Sequence, residues 1–148
     1  MMPKVIYQAG PMRGYDNYNF QAFEDGKIFL ESLGLEVISP HDIDIYEGWV
    51  TARYGHWLDD KTRKYRKSFT EVVASPSLDM TKVLRRDIEA ILRVDAISFL
   101  PGWQTSQGCL IEDQVARAIG LPIYLHYPDA NPQRFDLWEK GTYASCPT

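Results

Sequence analysis

Glu112 is the acidic side chain of this sequence that is best placed to do chemistry. It lies in GWQTSQGCLIEDQVARAIG, residues 102–120, where a glycine-bearing loop runs into a segment with helical spacing. An acid in the first turns of a helix is favoured by the helix dipole and is usually just solvated. A carboxylate that faces a pocket can instead act as a nucleophile or as a general acid. The position of Glu112 on its helix helps to distinguish a solvated acid from a carboxylate that faces a pocket.

The helical pattern places Glu112 at the edge of the buried face. Val115 and Ala116 mark the core side of the helix, and Glu112 precedes them by three and four residues, so all three share one side. Asp113 is rotated by about 100 degrees from Glu112 and forms an i,i+4 pair with Arg117, which suits solvent. We therefore predict that Glu112 lines the rim of a pocket and that substitution of Asp113 is tolerated.

Alternating strand and helix patterns predict the elements that hold these acids. Strands are predicted at 4–10, 35–40, 96–102 and 121–127, and helices at 20–34, at 77–95 and through the Glu112 segment. The two later strands are almost continuously apolar, as expected when helices cover both faces of a parallel sheet. The predicted fold class is α/β: a small doubly wound, Rossmann- or flavodoxin-like parallel sheet in a single domain spanning residues 1–148.

Residues 41–80 interrupt this alternation. The stretch is rich in aromatic and charged residues, and a structureless loop of that length is uncommon inside a compact domain. We predict an inserted helical segment that serves as a lid or a dimer contact. The tail from Asp129 to Thr148, which carries Trp138 and Tyr143, is predicted to pack on the surface or on a partner subunit.

The composition argues against several other functions. The 148-residue chain is 45% hydrophobic and has a formal net charge of −4, which gives no general attraction to nucleic acid or anionic membranes. The basic run KTRKYRK, residues 61–67, is more typical of a solvated helix face. Cys109 and Cys146 form neither a zinc pattern nor a disulfide framework, and no apolar run approaches the roughly 18 residues of a membrane span. We expect a cytoplasmic protein without a metal site. Three histidines are expected to be structural or surface residues: His41, His56 and His126.

Glycines and polar residues lie where ligands bind in open parallel sheets, at the carboxyl ends of the strands. Gly10 and Gly108 allow the backbone to approach a ligand, and Arg13 can form a forked contact with an anion. Asp87 lies on the helix before the third predicted strand, and the start of the Glu112 helix favours a phosphate group. No complete dinucleotide-binding or P-loop pattern is present, so these signals alone do not specify a nucleotide.

Three segments, in order along the chain, resemble the nucleoside 2-deoxyribosyltransferase-like superfamily. This superfamily includes 2′-deoxynucleoside 5′-monophosphate N-glycosidases and many small phage-encoded proteins. The matching segments are YQAGPMRG (7–14), RRDIEAILRVDAISFLPGW (85–103) and SQGCLIEDQVARAIGLPI (106–123). Each is moderately specific, and their order makes the combination stronger. The resemblance covers most of the chain except the insertion and the tail, and it implies a homodimer in which the neighbour often completes the site.

The resemblance also implies a role for each matching residue. Glu112 matches the carboxylate that attacks the anomeric carbon of the sugar, and Asp87 matches an acid that protonates or orients the leaving base. Positions in the first loop line the sugar and its 5′ side: Tyr7, Gly10, Met12 and Arg13. Positions in the second loop hold the 5′ end of the substrate: Ser106 and Gly108. Neither a metal nor an organic cofactor is implied.

The serine at position 106 favours a nucleoside 5′-monophosphate as substrate. Family members that use nucleosides tend to have an acid there, whereas nucleotide hydrolases tend to have a serine. A hydroxyl together with Arg13 suits a phosphate better than a carboxylate would. Pro11 and Met12 depart from the pattern, because the nucleotide hydrolases tend to have a serine and an aliphatic residue at these positions. This departure removes one expected phosphate donor.

The resulting hypothesis is cleavage of the N-glycosidic bond of a (deoxy)nucleoside 5′-monophosphate by a carboxylate nucleophile, with water or another base as acceptor. One alternative is a 2-deoxyribosyltransferase that acts on unphosphorylated nucleosides, and a second is a non-catalytic nucleotide sensor. The weakest is a nucleic-acid-binding module built on residues 61–67. Four aromatics are candidates for stacking on a base, although packing is the more common role: Trp49, Tyr54, Trp57 and Trp103.

Overall fold

A computed structural model describes residues 3–138, which are organised around a five-stranded sheet of order β2-β1-β5-β6-β7. Its strands are β1 (Val5–Ala9), β2 (Glu36–Ile38), β5 (Ala96–Phe99), β6 (Ile123–Tyr127) and β7 (Arg134–Leu137). Four helices accompany them: α1 (Phe20–Ser32), α2 (Pro40–Tyr46), α3 (Met80–Ile91) and α4 (Gln107–Ala118). The first four strands of the order are parallel, and β7 is antiparallel to β6. None of the described helices is long and apolar enough to cross a membrane.

Helices cover both faces of the sheet, because successive side chains of a strand point to opposite sides. Tyr7 and Ile97 belong to the larger core cluster, which packs beneath α3 and α4. Ile6 and Ala96, their neighbours in sequence, belong to a second cluster with Leu30 of α1. The predicted doubly wound α/β fold is therefore confirmed.

The chain reverses its direction across the sheet between β1 and β5. From β1 it passes through α1 to β2 on one side, and from β5 it passes through α4 to β6 on the other. The loops after β1 and β5 therefore leave the same edge and diverge, which forms the crevice where such sheets bind ligands. Gly102 in the second loop has a φ of +87°, and a Cβ there would lie 2.5 Å from the hydroxyl of Tyr15 in the first loop. Glycine thus allows the two loops to touch.

The insertion is mostly a β-hairpin, so the prediction of an inserted helical segment is wrong. The structure describes all of residues 41–80, and within them α2 supplies one short helix. The remainder is dominated by β3 (Val50–Leu58) and β4 (Tyr65–Ala74), which pair antiparallel with a register shift between Arg53 and Tyr54. β-Branched and aromatic residues on these strands favour β-structure. The many charged residues of the segment made this strand preference difficult to recognise in the sequence.

The basic run at 61–67 does not lie on a helix: residues 61–64 form the turn of the hairpin, and residues 65–67 begin β4. Arg66 is buried and forms an ion pair with Glu31 of α1. Lys67 Nζ lies 3.8 Å from Asp42 Oδ1 of α2. These contacts neutralise charge that a nucleic-acid-binding surface would present to solvent.

Residues 129–138 extend the sheet. β7 adds an antiparallel edge strand, which the sequence patterns did not predict, and Trp138 directly after it is buried in the core cluster beneath α3 and α4. The tail prediction for Tyr143, like the position of Cys146, lies outside the described residues.

A buried polar network joins the insertion to the sheet. Gln8 Nε2 donates to Ser39 Oγ at 3.0 Å, and Ser39 Oγ lies 2.7 Å from His41 Nδ1. His41 Nε2 lies 2.8 Å from Glu24 Oε1, and the Lys67 N–H donates to Glu24 Oε2 at 3.3 Å. Burial raises the pKa of Glu24, but the hydrogen bond and charge of His41 outweigh it and lower that pKa to about 2. His41 is therefore a structural histidine, as predicted.

Replacing Glu24 with glutamine is expected to destabilise the protein by about 1–3 kcal/mol near neutral pH, because a buried charge-assisted hydrogen bond is lost. The stabilisation from ionised Glu24 is fully present above the ordinary pKa of 4.5 and is lost as the pH falls toward the folded pKa of about 2. The difference in unfolding free energy between wild type and Glu24→Gln should therefore become smaller at acidic pH.

Urea denaturation at neutral pH and at about pH 3 measures this difference. The matched control is Glu36→Gln, which removes an exposed acid from β2. Equal unfolding free energies for wild type and Glu24→Gln at neutral pH would contradict the role of the network.

Candidate active site

Glu112 is buried beneath the crevice between the loops that follow β1 and β5. It lies in the second turn of α4, and its carboxyl Oε2 accepts a hydrogen bond of 2.8 Å from the hydroxyl of Tyr7 on β1. Glu112 is 6% exposed and Tyr7 is fully buried. Glu112 is thus an inward-facing carboxyl group, as the helical pattern predicted, and not a solvated acid at a helix start.

Asp113 is also buried, so the prediction that it faces solvent is wrong. The predicted pair with Arg117 is present, with Arg117 Nε 3.0 Å from both carboxyl oxygens of Asp113. The pair lies beneath Trp138, whose ring is 4.6 Å from the Arg117 guanidinium carbon. Because this cover comes from the far end of the described chain, local helical periodicity did not reveal it. Asp113 is a structural residue, and its substitution is expected to destabilise the protein.

Asp87 lies on α3 and is held by its neighbour Arg86. Arg86 Nε and Nη2 donate to Asp87 Oδ1 at 3.0 and 2.6 Å. Arg86 Nη1 donates to Asp44 Oδ1 of α2 at 2.8 Å and to Glu47 Oε1 at 3.1 Å. Sequence patterns did not single out Arg86 or its other two partners, Asp44 and Glu47. The doublet of arginines directly before Asp87 was the available signal, but the pattern did not show that one of them turns inward.

Burial raises the pKa of both carboxyl groups. Burial, reinforced by the charge of Asp87, raises the pKa of Glu112 to about 8, while the Tyr7 hydrogen bond opposes the increase. Burial also raises the pKa of Asp87 to about 6, although Arg86 limits that increase. Burial beside Glu112 raises the pKa of Tyr7, so its hydroxyl remains a donor. Between about pH 6 and 8 the pair therefore holds one proton, mainly on Glu112, while Asp87 is mainly ionised.

Residues of the first loop divide into packing and exposed positions. A Cβ on Gly10 would lie 3.0 Å from Leu100 Cβ and 3.1 Å from Phe23 Cζ, so glycine is needed there for packing. Met12 packs against the cluster between α1 and the hairpin. Arg13 is exposed. The structure thus brings Tyr7 together with the two acids, whereas Gly10 and Met12 contact packing partners.

The second loop ends at an open helix start. Ser106 is the N-cap of α4, and its Oγ accepts a hydrogen bond of 3.3 Å from the Cys109 N–H. A Cβ on Gly108 would meet nothing nearer than Ser106 Oγ at 3.9 Å, which leaves space beside the first turn. The N–H groups of a helix start and a hydroxyl that can still donate suit an anion. Burial raises the pKa of Cys109, so its thiol stays neutral beside Glu112.

The aromatic candidates for base stacking lie in different environments. Trp103 is buried, with its ring centroid 4.6 Å from that of Phe99 and 5.6 Å from that of Trp138, so it packs in the core. Trp49 donates from Nε1 to Glu47 Oε1 at 2.9 Å. Trp57 is exposed on β3.

One group among the described residues could hold a metal ion by distance alone: Glu24, His41 and Asp42, whose ligand atoms lie within 4.8 Å of one another. Both ring nitrogens of His41 are already engaged, by Ser39 and by Glu24. The ammonium of Lys27 lies 2.6 Å from Asp42 Oδ2. A lysine therefore already supplies the positive charge that a cation would bring.

Comparison with known proteins yields one family match. A family model described as Domain of unknown function (DUF4406) matches residues 70–125. This range runs from the end of β4 to β6 and contains Asp87, Ser106 and Glu112. No curated protein matches the chain.

Replacing Glu112 with glutamine is expected to make the protein more stable than wild type, and this stabilisation should grow as the pH rises. The folded pKa of about 8 lies above the ordinary value of 4.5, so the favourable burial of neutral Glu112 is fully present below 4.5 and is lost as the pH rises toward 8. Glutamine does not ionise. The melting temperature of the variant, relative to wild type, should therefore increase by several degrees between about pH 5 and pH 9.

Thermal unfolding followed by circular dichroism at both pH values tests this effect. The exposed Glu89 of α3 provides the control, because Glu89→Gln should leave the pH dependence of the melting temperature unchanged. A melting-temperature difference for Glu112→Gln that does not grow with pH would show that Glu112 is not held in its neutral form.

Proposed function

We propose that the protein cleaves the N-glycosidic bond of a (deoxy)nucleoside 5′-monophosphate, with Glu112 as nucleophile and Asp87 as general acid. The observation that carries this proposal is the buried group formed by Glu112, Tyr7 and Asp87 at the point where the sheet reverses direction. The three segments that resemble the nucleoside 2-deoxyribosyltransferase-like superfamily supply most of this site. DUF4406 is itself related to that superfamily, which further supports the proposal.

The chemistry needs one ionised and one protonated carboxyl group. Glu112 carboxylate attacks the anomeric carbon, and a glycosyl ester forms as the bond from that carbon to the base nitrogen breaks. The base leaves with the bonding electrons and receives a proton from Asp87. The shared proton must therefore lie on Asp87 when the bond breaks. Tyr7, which hydrogen-bonds Glu112 and also interacts with Asp87, provides a route between the two groups.

The second step regenerates both carboxyl groups. Asp87, now ionised, removes a proton from water, and the resulting hydroxide attacks the anomeric carbon. The ester bond to Glu112 breaks, which releases the sugar 5-phosphate and returns Glu112 as a carboxylate. If another base enters before water, the same ester gives transfer instead of hydrolysis.

The open start of α4 supports a 5′-phosphate on the substrate. Ser106 can donate its hydroxyl proton while it accepts from the Cys109 N–H, and the first-turn N–H groups favour an anion. Arg13 is exposed at the same edge of the sheet and can add a positive charge when a phosphate binds. A homodimer and a cytoplasmic location are further expectations from the resemblance and the composition.

Glu112→Ala is expected to reduce base release from the preferred nucleoside 5′-monophosphate by a factor of 1,000 or more, on the order of what loss of a catalytic nucleophile produces. Chromatography of a panel of ribo- and deoxynucleosides and their 5′-monophosphates, with and without an acceptor base, measures this release. Glu89→Gln should retain wild-type rates. Undiminished base release by folded Glu112→Ala would eliminate Glu112 as nucleophile.

The same panel separates the alternatives. Free base without acceptor indicates a hydrolase, and a new nucleoside formed only with acceptor indicates a transferase. Cleavage of unphosphorylated nucleosides in preference to 5′-monophosphates would favour the 2-deoxyribosyltransferase alternative. Tight binding without turnover on any compound would favour the nucleotide sensor.

The pH dependence of kcat/KM for base release is expected to be bell-shaped, with limbs near pH 6 and pH 8. Below the lower limb both carboxyl groups are protonated and no nucleophile is present, whereas above the upper limb both are ionised and no acid remains. Initial rates between about pH 4.5 and 9.5 test this expectation. A rate that rises steadily through pH 9 would contradict a shared proton.

A further inference from the structure

Arg86 links the insertion to the acid of the proposed reaction. Its guanidinium donates two hydrogen bonds to Asp87 Oδ1 and one each to Asp44 and Glu47. Both bonds to Asp87 fall on the same oxygen, so Arg86 holds one side of the carboxyl group. Glu47 also accepts a hydrogen bond from Trp49 Nε1. The contacts therefore run from the insertion, through Arg86, to Asp87.

We propose that Arg86 is a positioning residue, which fixes the orientation of the Asp87 carboxyl group and is itself held in place by Asp44 and Glu47 of the insertion. This inference rests on the proposed function for its effect on rate, but the geometric role of Arg86 does not depend on any reaction. Asp44 and Glu47 lie next to β3, so the α2–hairpin segment supports Asp87 from outside the sheet.

An ordinary surface ion pair would not need this arrangement. Arg86 and Asp44 are largely buried, with 14% and 10% of their side chains exposed, and a buried guanidinium requires partners for its donors. Adjacent Arg85 has the same charge on the same helix but is exposed. The fold therefore distinguishes the two arginines, and the inward one contacts the acid.

Charged and titratable groups from several elements interact with Asp87. They are Arg86 on α3, Tyr7 on β1, Glu112 and Cys109 on α4, and Asp44 on α2. Among these groups Arg86 is the cation. Without it, burial and the charge of Asp44 favour the protonated form of Asp87, and the hydrogen bond of Tyr7 opposes them.

The test compares Arg86→Gln, Arg86→Lys and Glu47→Ala, with Arg85→Gln as the matched control. In Arg86→Gln we expect the acid limb of the pH–rate profile to move upward by about one pH unit or more. We expect kcat to fall roughly 10- to 100-fold with little change in KM, because the acid is misplaced in the bound complex. Glu47→Ala, which removes one acceptor of Arg86 Nη1, should shift both quantities in the same direction but less. Arg86→Lys should return the acid limb toward its wild-type position, since the charge is kept.

Carbon-13 NMR titration of the Asp87 carboxyl group gives a second measurement that needs no activity. The midpoint should rise in Arg86→Gln, rise less in Glu47→Ala and stay unchanged in Arg85→Gln. If the wild type releases no base but the midpoints shift in this way, the proposed function fails and the positioning role of Arg86 stands.

An unchanged Asp87 midpoint in folded Arg86→Gln would overturn the inference. If Arg86→Gln does not fold, an unchanged midpoint in folded Glu47→Ala would overturn the link to the insertion. An equal shift in Arg85→Gln would show that general charge, not the contact, is responsible.

Discussion

The site depends on placing two carboxyl groups close together out of water. Burial disfavours the charged form of each, and ionisation of one further disfavours ionisation of the other. Tyr7 donates to Glu112, and Arg86 donates to Asp87, so a direct hydrogen bond stabilises the charge of each carboxyl group. The result is a pair that holds one proton near neutral pH. Such a pair supplies a nucleophile and an acid together, which N-glycosidic cleavage requires.

The rest of the architecture supports these two contacts. Tyr7 is fixed because β1 lies inside the sheet, paired with both β2 and β5. Arg86 is fixed because α2 brings Asp44 against α3. The insertion in turn is anchored by Glu24, which joins His41 of α2 to the backbone of β4. The hairpin segment therefore contributes to the site through α2 and is more than a surface addition.

Local patterns in the sequence were sufficient for the sheet and for Glu112. Apolar strands separated by helical segments predicted the doubly wound fold, and helical spacing placed Glu112 at the edge of the buried face. Other features depend on contacts between distant segments. Asp113 shares its solvent-suited pattern with many surface acids, but it is buried together with Arg117, whose guanidinium packs against Trp138. Arg86 and Arg85 are indistinguishable by residue type, and the position of α2 decides which one is buried. The hairpin was missed because its charge density resembled that of an exposed helix, whereas its basic residues pair with acids of α1 and α2.

Capture of the covalent intermediate would show whether Glu112 is the nucleophile. The protein is mixed with its preferred nucleoside 5′-monophosphate, quenched in acid during turnover and digested for mass spectrometry. The account predicts that the peptide containing Glu112 gains the mass of the sugar phosphate less one water, and that fragmentation places the ester on Glu112 and not on Asp113. An ester on Asp87, or rapid base release without any ester on Glu112, would contradict it.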